Sequence, residues 1–362
     1  MAAVGRTLLI VVVVVLGLGA ALYFLGPKTA SRSQTLEIER PAATVLARLS
    51  STPVGAAVVE GVTISEPPTV DGDTVSAPVA FADGGTGRVT YTVTEDGEGS
   101  NVNVKLEQDL GSNPMNRFAA FTGGEVGPLI AGAASAVETD LNALPNATFA
   151  GLQYSVVDLT ARPFFYVENC SDTSAESITS IISQAVQAIP PVMRANSLSV
   201  TGELMAVEPR VVSNQYCYQV GYPYGGRQPR ALLIGKTGET PAGQALRVVY
   251  TGEEADVIGQ VYDPMDALLG AAHLDDPATR EDDWVTYEVY HDDATQSGGS
   301  RNREIYYVVP QGVDIATLTR IQAPSEAAPV PANAPAETPA TTEAPATTEA
   351  PATTEAPATT TP

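Results

Sequence analysis

The stretch WVTYEVYH, Trp284 to His291, alternates in the way a β-strand requires. Its Trp, Val, Thr and Tyr side chains favour strands. Alternate residues of a strand point to opposite faces. Trp284, Thr286, Glu288 and Tyr290 therefore share one face, and Val285, Tyr287 and Val289 share the other. The second face reads as ordinary core. The first holds a carboxylate between two large aromatic residues.

This strand belongs to a repeating order. Upstream of it lie a strand, QALRVVYTG (Gln244–Gly252), and a helix, EEADVIGQVYDPMDALLGAAH (Glu253–His273); downstream lies a strand, REIYYVVP (Arg303–Pro310). Pro264 falls inside the helix and is expected to kink or split it. An earlier copy has the same order. It runs from a strand, YSVVDLTARPFFYVEN (Tyr154–Asn169), to a helix, SAESITSIISQAVQAIPPVM (Ser174–Met193), then to SVTGELMAVEP (Ser199–Pro209) and NQYCYQVGYPY (Asn214–Tyr224). Strand-helix-strand-strand, written twice, predicts an α+β unit with one mixed or antiparallel sheet over 152–312.

This duplicated βαββ order resembles the GyrI-like, or AraC-type, effector-binding domain. TPAGQALRVVYTG, the following helix, WVTYEVYHDD, EIYYVVP and CYQVGYPY carry the resemblance. It implies a pocket lined by aromatic residues, with a central carboxylate on the penultimate strand. Glu288 occupies that position. No helix-turn-helix segment precedes the unit, so use of the fold in transcription is not expected.

Residues 35–146 have a different order. A strand, TLEIER (Thr35–Arg40), leads into a short helix, PAATVLARLSS (Pro41–Ser51), with Pro41 at a permitted first-turn position. Alternating runs follow, TVSAPVAF, GRVTYTVTED and NVNVKLEQDL, separated by Gly-, Asp- and Asn-rich turns. The segment ends in a helix on which Val126, Leu129, Ile130, Ala133, Val137, Leu141 and Leu144 form one apolar stripe. The order resembles the polyketide cyclase/START-like helix-grip family (SRPBCC). LEIERPAATVLARLSS matches its opening strand and helix; SNPMNRFAAF and GPLIAGAASAVETDLNAL match its closing loop and helix. That resemblance implies a curved sheet gripping a long helix over a hydrophobic cavity.

The termini differ again. TLLIVVVVVLGLGAALYFLG, Thr7–Gly26, carries no charge over a length that suits a bilayer-spanning helix. The expectation is an uncleaved anchor over 1–34, with PKTASRSQ as a polar linker. The short N-terminal flank places the N-terminus in the cytoplasm and the body in the periplasm or outside the cell. At the other end, 322–362 is built from Pro, Ala, Thr and Glu, with PATTEA three times between Pro339 and Ala356. It cannot bury enough surface to offset its ordering entropy, so a disordered tail is expected.

Composition narrows the function. With 42 acidic and 19 basic residues among 362, the formal charge is -23. Such a surface repels phosphate backbones and argues against nucleic-acid partners. Cys170 and Cys217 fit a disulfide in an oxidising compartment or two buried thiols. The two histidines, His273 and His291, do not make a zinc site, which needs three or four convergent ligands. In particular, Glu288 and His291 lie three apart on a strand and face opposite ways. His273 ends a helix, where the helix C-terminus attracts it. There is no P-loop or dinucleotide fingerprint, so no cofactor is expected.

The candidate ligand-binding residues are Glu288, Trp284, Tyr290, Tyr218 and Tyr222. A carboxylate between aromatic faces attracts an organic cation through charge and cation–π contact. The leading expectation is a non-catalytic, membrane-anchored protein that binds a hydrophobic or cationic small molecule. Two alternatives stand beside it: a hydrolase with Glu288 as general base, and an envelope scaffold.

Overall fold

The computed structural model describes residues 17, 27–111, 117, 126–171, 175–212, 215–229, 232–274, 284–296 and 298–325. The expected membrane span, apart from Gly17, the loop 112–121, apart from Arg117, and the PATTEA repeats lie outside the described residues. Among the described residues no helix is long and apolar enough to cross a membrane.

The chain first forms β1 (Thr29–Ile38), α1 (Ala42–Ser50), β2 (Ala57–Val59), β3 (Val62–Ile64), β4 (Thr69–Asp71), β5 (Thr74–Phe81), β6 (Thr86–Asp96), β7 (Gly99–Asp109) and α2 (Val126–Asn142). The strands make one antiparallel sheet, ordered β1-β7-β6-β5-β3-β2 with β4 paired to β5. Strands β5 and β7 alternate strictly between buried and half-exposed positions. The buried set meets α1 through Val45 and Leu49, and α2 through Ile130, Ala133, Val137 and Leu141, in a single core. One expectation is corrected here. Pro27–Gln34 is not a free linker, because β1 begins at Thr29 and pairs along β7 from Asp109 onward.

A second sheet follows, from β8 (Ser155–Leu159), β9 (Pro163–Ser171), β10 (Ser199–Val200), β11 (Leu204–Val212), β12 (Gln215–Gly225), β13 (Lys236–Glu239), β14 (Gly243–Thr251), β15 (Val285–Tyr290) and β16 (Asn302–Val308). Helix α3 (Ala175–Ala195) belongs to the first copy. A 3-10 turn (Glu254–Asp256), a π-helical turn (Ile258–Tyr262) and α4 (Asp263–Ala271) belong to the second. Helix α5 (Ala316–Ile321) closes the described chain. The order β13-β9-β12-β11-β15-β16-β14-β8 is that of a duplicated unit with internal symmetry. Each copy contributes its strands as first, third, second, and the two second strands, β11 and β15, pair antiparallel at the centre.

The segment Tyr154–Asn169 is two strands, not the one expected. Its chain breaks before Pro163, which starts β9 and has no N–H to donate to a ladder. The freed arm, β8, crosses to the far edge and pairs with β14, while β13 returns the exchange by pairing with β9. Pro264 behaves as expected. It sits in the first turn of α4, immediately after the π turn, so the helix is split into three pieces.

Both helices cover one face of the sheet. α3 packs on Phe165, Val220 and Tyr290; α4 packs on Leu246, Ile305 and Tyr307. The chain beyond β16 adds Ile315 and Leu318 to the α4 core. The expected tail does not start at Gln322. Gln322 accepts the Tyr154 hydroxyl, and Ser325 donates to the Tyr154 carbonyl through both N and Oγ.

Candidate functional site

Glu288 lies on β15 facing the helices, beside the central β11–β15 seam. Its Oε1 accepts the Tyr262 hydroxyl at 2.7 Å, and its Oε2 accepts Arg303 Nη1 at 3.0 Å. Tyr290 lies two residues on along the same face of β15. Arg303 reaches it from β16, where it pairs with Tyr290 across the ladder. Its guanidinium also donates to both carboxylate oxygens of Glu254 and to the Ser300 carbonyl, and stands 5.4 Å from the Tyr290 ring centre. The site is therefore two carboxylates around one guanidinium, walled by Tyr262 and Tyr290.

Burial grades these groups. Arg303 is 1% exposed, Glu288 12% and Glu254 22%. Burial by itself lowers the Arg303 pKa, but Glu288 and Glu254 outweigh it and raise it above the ordinary arginine value. Burial, then the Glu288 charge, holds the Tyr290 hydroxyl well above its ordinary value of 10.0. The cluster carries one carboxylate in excess over its cation.

Local backbone features place each group. The π turn ends at Tyr262 and aims its hydroxyl at Glu288; such turns often mark functional positions. Gly299 has φ +73, and a Cβ there would stand 2.5 Å from Glu254 Oε2. Glycine therefore suits both the left-handed turn and the close carboxylate.

Not all the candidate residues converge. Glu288 and Tyr290 are together. Trp284 shares their face but lies four residues along the strand, with its indole N–H donating to Leu274 O at 3.1 Å in the α4 core. Tyr218 and Tyr222 line the α3 side of the same face. So Trp284 does not flank the acid as expected; four residues of strand separate them by roughly 13 Å. Cys170 and Cys217 are opposite each other on β9 and β12 and form a disulfide.

Arg303, Tyr262 and Glu254 were missed by sequence reading. Arg303 had a signal: it alternates with Ile305 and Tyr307, so a cation shares a face with core residues. Its meeting with Glu288 depends on strand register, which alternation does not supply.

The opposite face of β15 is not ordinary core. Tyr287 stacks on Tyr306 at 4.6 Å, and Tyr306 donates to Glu304 Oε2 at 2.6 Å. Glu304 is paired with Arg247, both 6% exposed, and His291 Nε2 stands 3.5 Å from the same carboxylate. Glu288 and His291 do face opposite ways, and among the described residues no group of three metal-binding side chains forms. His273 serves the seam with the first sheet: its Nε2 is 3.1 Å from the Arg48 carbonyl oxygen.

No family model matches the chain, and no curated protein matches it. Solved structures do. One, SAV2435 bound to tetraphenylphosphonium, is 10% identical over 44% of this chain and 95% of its own, with a TM-score of 0.32. A hydrolase from Listeria innocua is 8% identical over 44% and 93%, with a TM-score of 0.30. A polyketide-cyclase-like protein from Corynebacterium glutamicum is 18% identical over 32% and 96%, with a TM-score of 0.18.

Proposed function

We propose that this chain binds small organic cations at the Glu288 cluster without transforming them. The observation that carries the reading is the charge count among the described residues: Glu254 and Glu288 face one cation, Arg303. Arg303 holds both carboxylates in place and leaves one negative charge for a ligand. The partly exposed edges of Glu288 and Glu254 are where a cation would meet it, against tyrosine rings that add cation–π attraction.

The same geometry weighs against Glu288 as a general base. Its two oxygens already accept from Tyr262 and Arg303. Protonating Glu288 would weaken its ion pair with the buried Arg303, which opposes its use as a base. Membrane anchoring and placement outside the cytoplasm belong to the same proposal. The uncharged run Thr7–Gly26 and the Cys170–Cys217 disulfide support them.

Trp284 is the chain's one tryptophan and immediately precedes the strand that carries Glu288, so its fluorescence is a built-in reporter. The full chain in nanodiscs is titrated with tetraphenylphosphonium. Saturable quenching, weakened about tenfold or more by Glu288→Gln, is expected, since a charged contact is worth about 1.5–3 kcal/mol. Binding unchanged by that substitution overturns the proposal. For topology, a C-terminal phosphatase fusion active only outside the cytoplasm is expected to be active.

A further inference from the structure

A second cleft lies far from Glu288 in sequence and chemistry, on the seam between the two sheets. Its volume is about 450 Å³. Ligand cavities of roughly 300–1,000 Å³ favour such seams. One wall is α1, through Ala43 and Leu46; the β4 strand adds Val70, and the second unit adds Phe149, Ile321 and Arg320.

Three features of the cleft point the same way. Helix α1 buries Thr44, Val45 and Leu49 in or against the first core, and the side it turns to the cleft combines Ala43, Leu46 and Ala47 with the hydroxyls of Ser50 and Ser51. Leu46 also packs against the first core and Ala47 against the α4 core, and Ala43 is the exposed one of the three. Val70, paired with Val75 of β5, continues the apolar wall and is 54% exposed. Arg320 stands at this wall as an exposed cation whose guanidinium donates to Thr317 Oγ1 at 3.0 Å and, among the described residues, pairs with no carboxylate. Arg320 therefore brings a positive charge, without a carboxylate partner among the described residues, to the edge of a cleft in a chain of charge -23.

We infer that this cleft binds an amphiphilic carboxylate: a single aliphatic chain along α1 and Phe149, with its head on Arg320. Arginine suits the head group because its planar fork matches a carboxylate in two hydrogen bonds. The site is distinct from the Glu288 cluster, which favours the opposite charge.

The test is photolabelling of the full chain in nanodiscs with a diazirine analogue of decanoic acid, followed by peptide mapping. Label is expected on the peptides holding Ala42–Ser50 and Ala316–Ile321, competed by decanoate and not by decanol. Arg320→Gln, at an exposed side chain that the fold does not need, should reduce it about tenfold, the order expected for a lost charged hydrogen bond. Ala43→Trp should fill the cleft and abolish it, and Glu288→Gln should leave it intact. Label spread elsewhere, equal competition by decanol, or indifference to Arg320→Gln overturns the inference. So does label that appears only after residues 326–362 are removed, which would make the chain's own tail the occupant.

Discussion

A guanidinium at 1% exposure has to be matched inside the protein, and Arg303 is matched by Glu288, Glu254 and the Ser300 carbonyl. Removing it strands two carboxylates in a space built for a cation. Arg303→Leu should lower unfolding free energy by about 3–5 kcal/mol, the usual cost of breaking a buried pair from one side. Arg303→Leu with Glu288→Leu should recover part of that loss, and urea denaturation of the three proteins reads the difference. Gly299→Ala acts on the same cluster by sterics. It forces a left-handed φ on a side chain and drives a methyl into Glu254, so it should cost about 1–2 kcal/mol and weaken the Glu254 bonds to Arg303. Glu288 was legible in the sequence because an acid on an apolar strand face breaks a pattern. Its partners were not, since a pattern within one strand says nothing about which residue of the next strand stands beside it.

At the scale of elements, the duplicated strand-helix-strand-strand order was legible from alternation and turn residues. The exchanged arms β8 and β13 were not, because their partners lie far along the chain and the pairing is settled by the sheet as a whole. The same holds for the end of α4. His273 looked like a residue attracted to its own helix terminus. Instead it adopts φ 56 and turns its ring to the Arg48 carbonyl on the neighbouring unit. Burial first, then the Arg48 charge, lowers its pKa below 6.5. The unfolded chain thus binds a proton at a pH where the folded chain does not. Stability contributed by neutral His273 is present above about pH 6.5 and falls as the pH drops below it, by at most about 1.4 kcal/mol per unit. His273→Asn keeps a residue that tolerates the left-handed backbone and removes the titration. Thermal midpoints of the two proteins should therefore converge as the pH falls from 7 to 5, with the native chain losing more.

The whole molecule is joined through α1. Arg48 donates to both oxygens of Asp140 on α2 and, through Nη1, to the carbonyl of Gly270 near the end of α4 at 2.7 Å. Ser51 adds a bond to the Ala271 carbonyl, and Thr44 donates to Ala147 O at 2.9 Å. α4 closes its own end through the left-handed His273, with Leu269 and Gly270 accepting the Leu274 and His273 amides, and α1 adds second donors to the carbonyls of Gly270 and Ala271. The ion pair contributes less than the bond to Gly270, because Asp140 is 43% exposed and exposed pairs are worth about 0–1 kcal/mol. Arg48→Met keeps the aliphatic stem and removes both. The expected cost is about 1.5–3 kcal/mol from the lost charged hydrogen bond to a largely buried carbonyl. Its form is as informative as its size. If the two units unfold together because α1 ties them, calorimetry of the native chain gives one transition and that of Arg48→Met gives two. The segment 143–153 between the units should at the same time become open to limited proteolysis. A single transition shifted as a whole would show that the apolar contacts of Ala47 with the α4 core hold the units together without the Arg48 bonds.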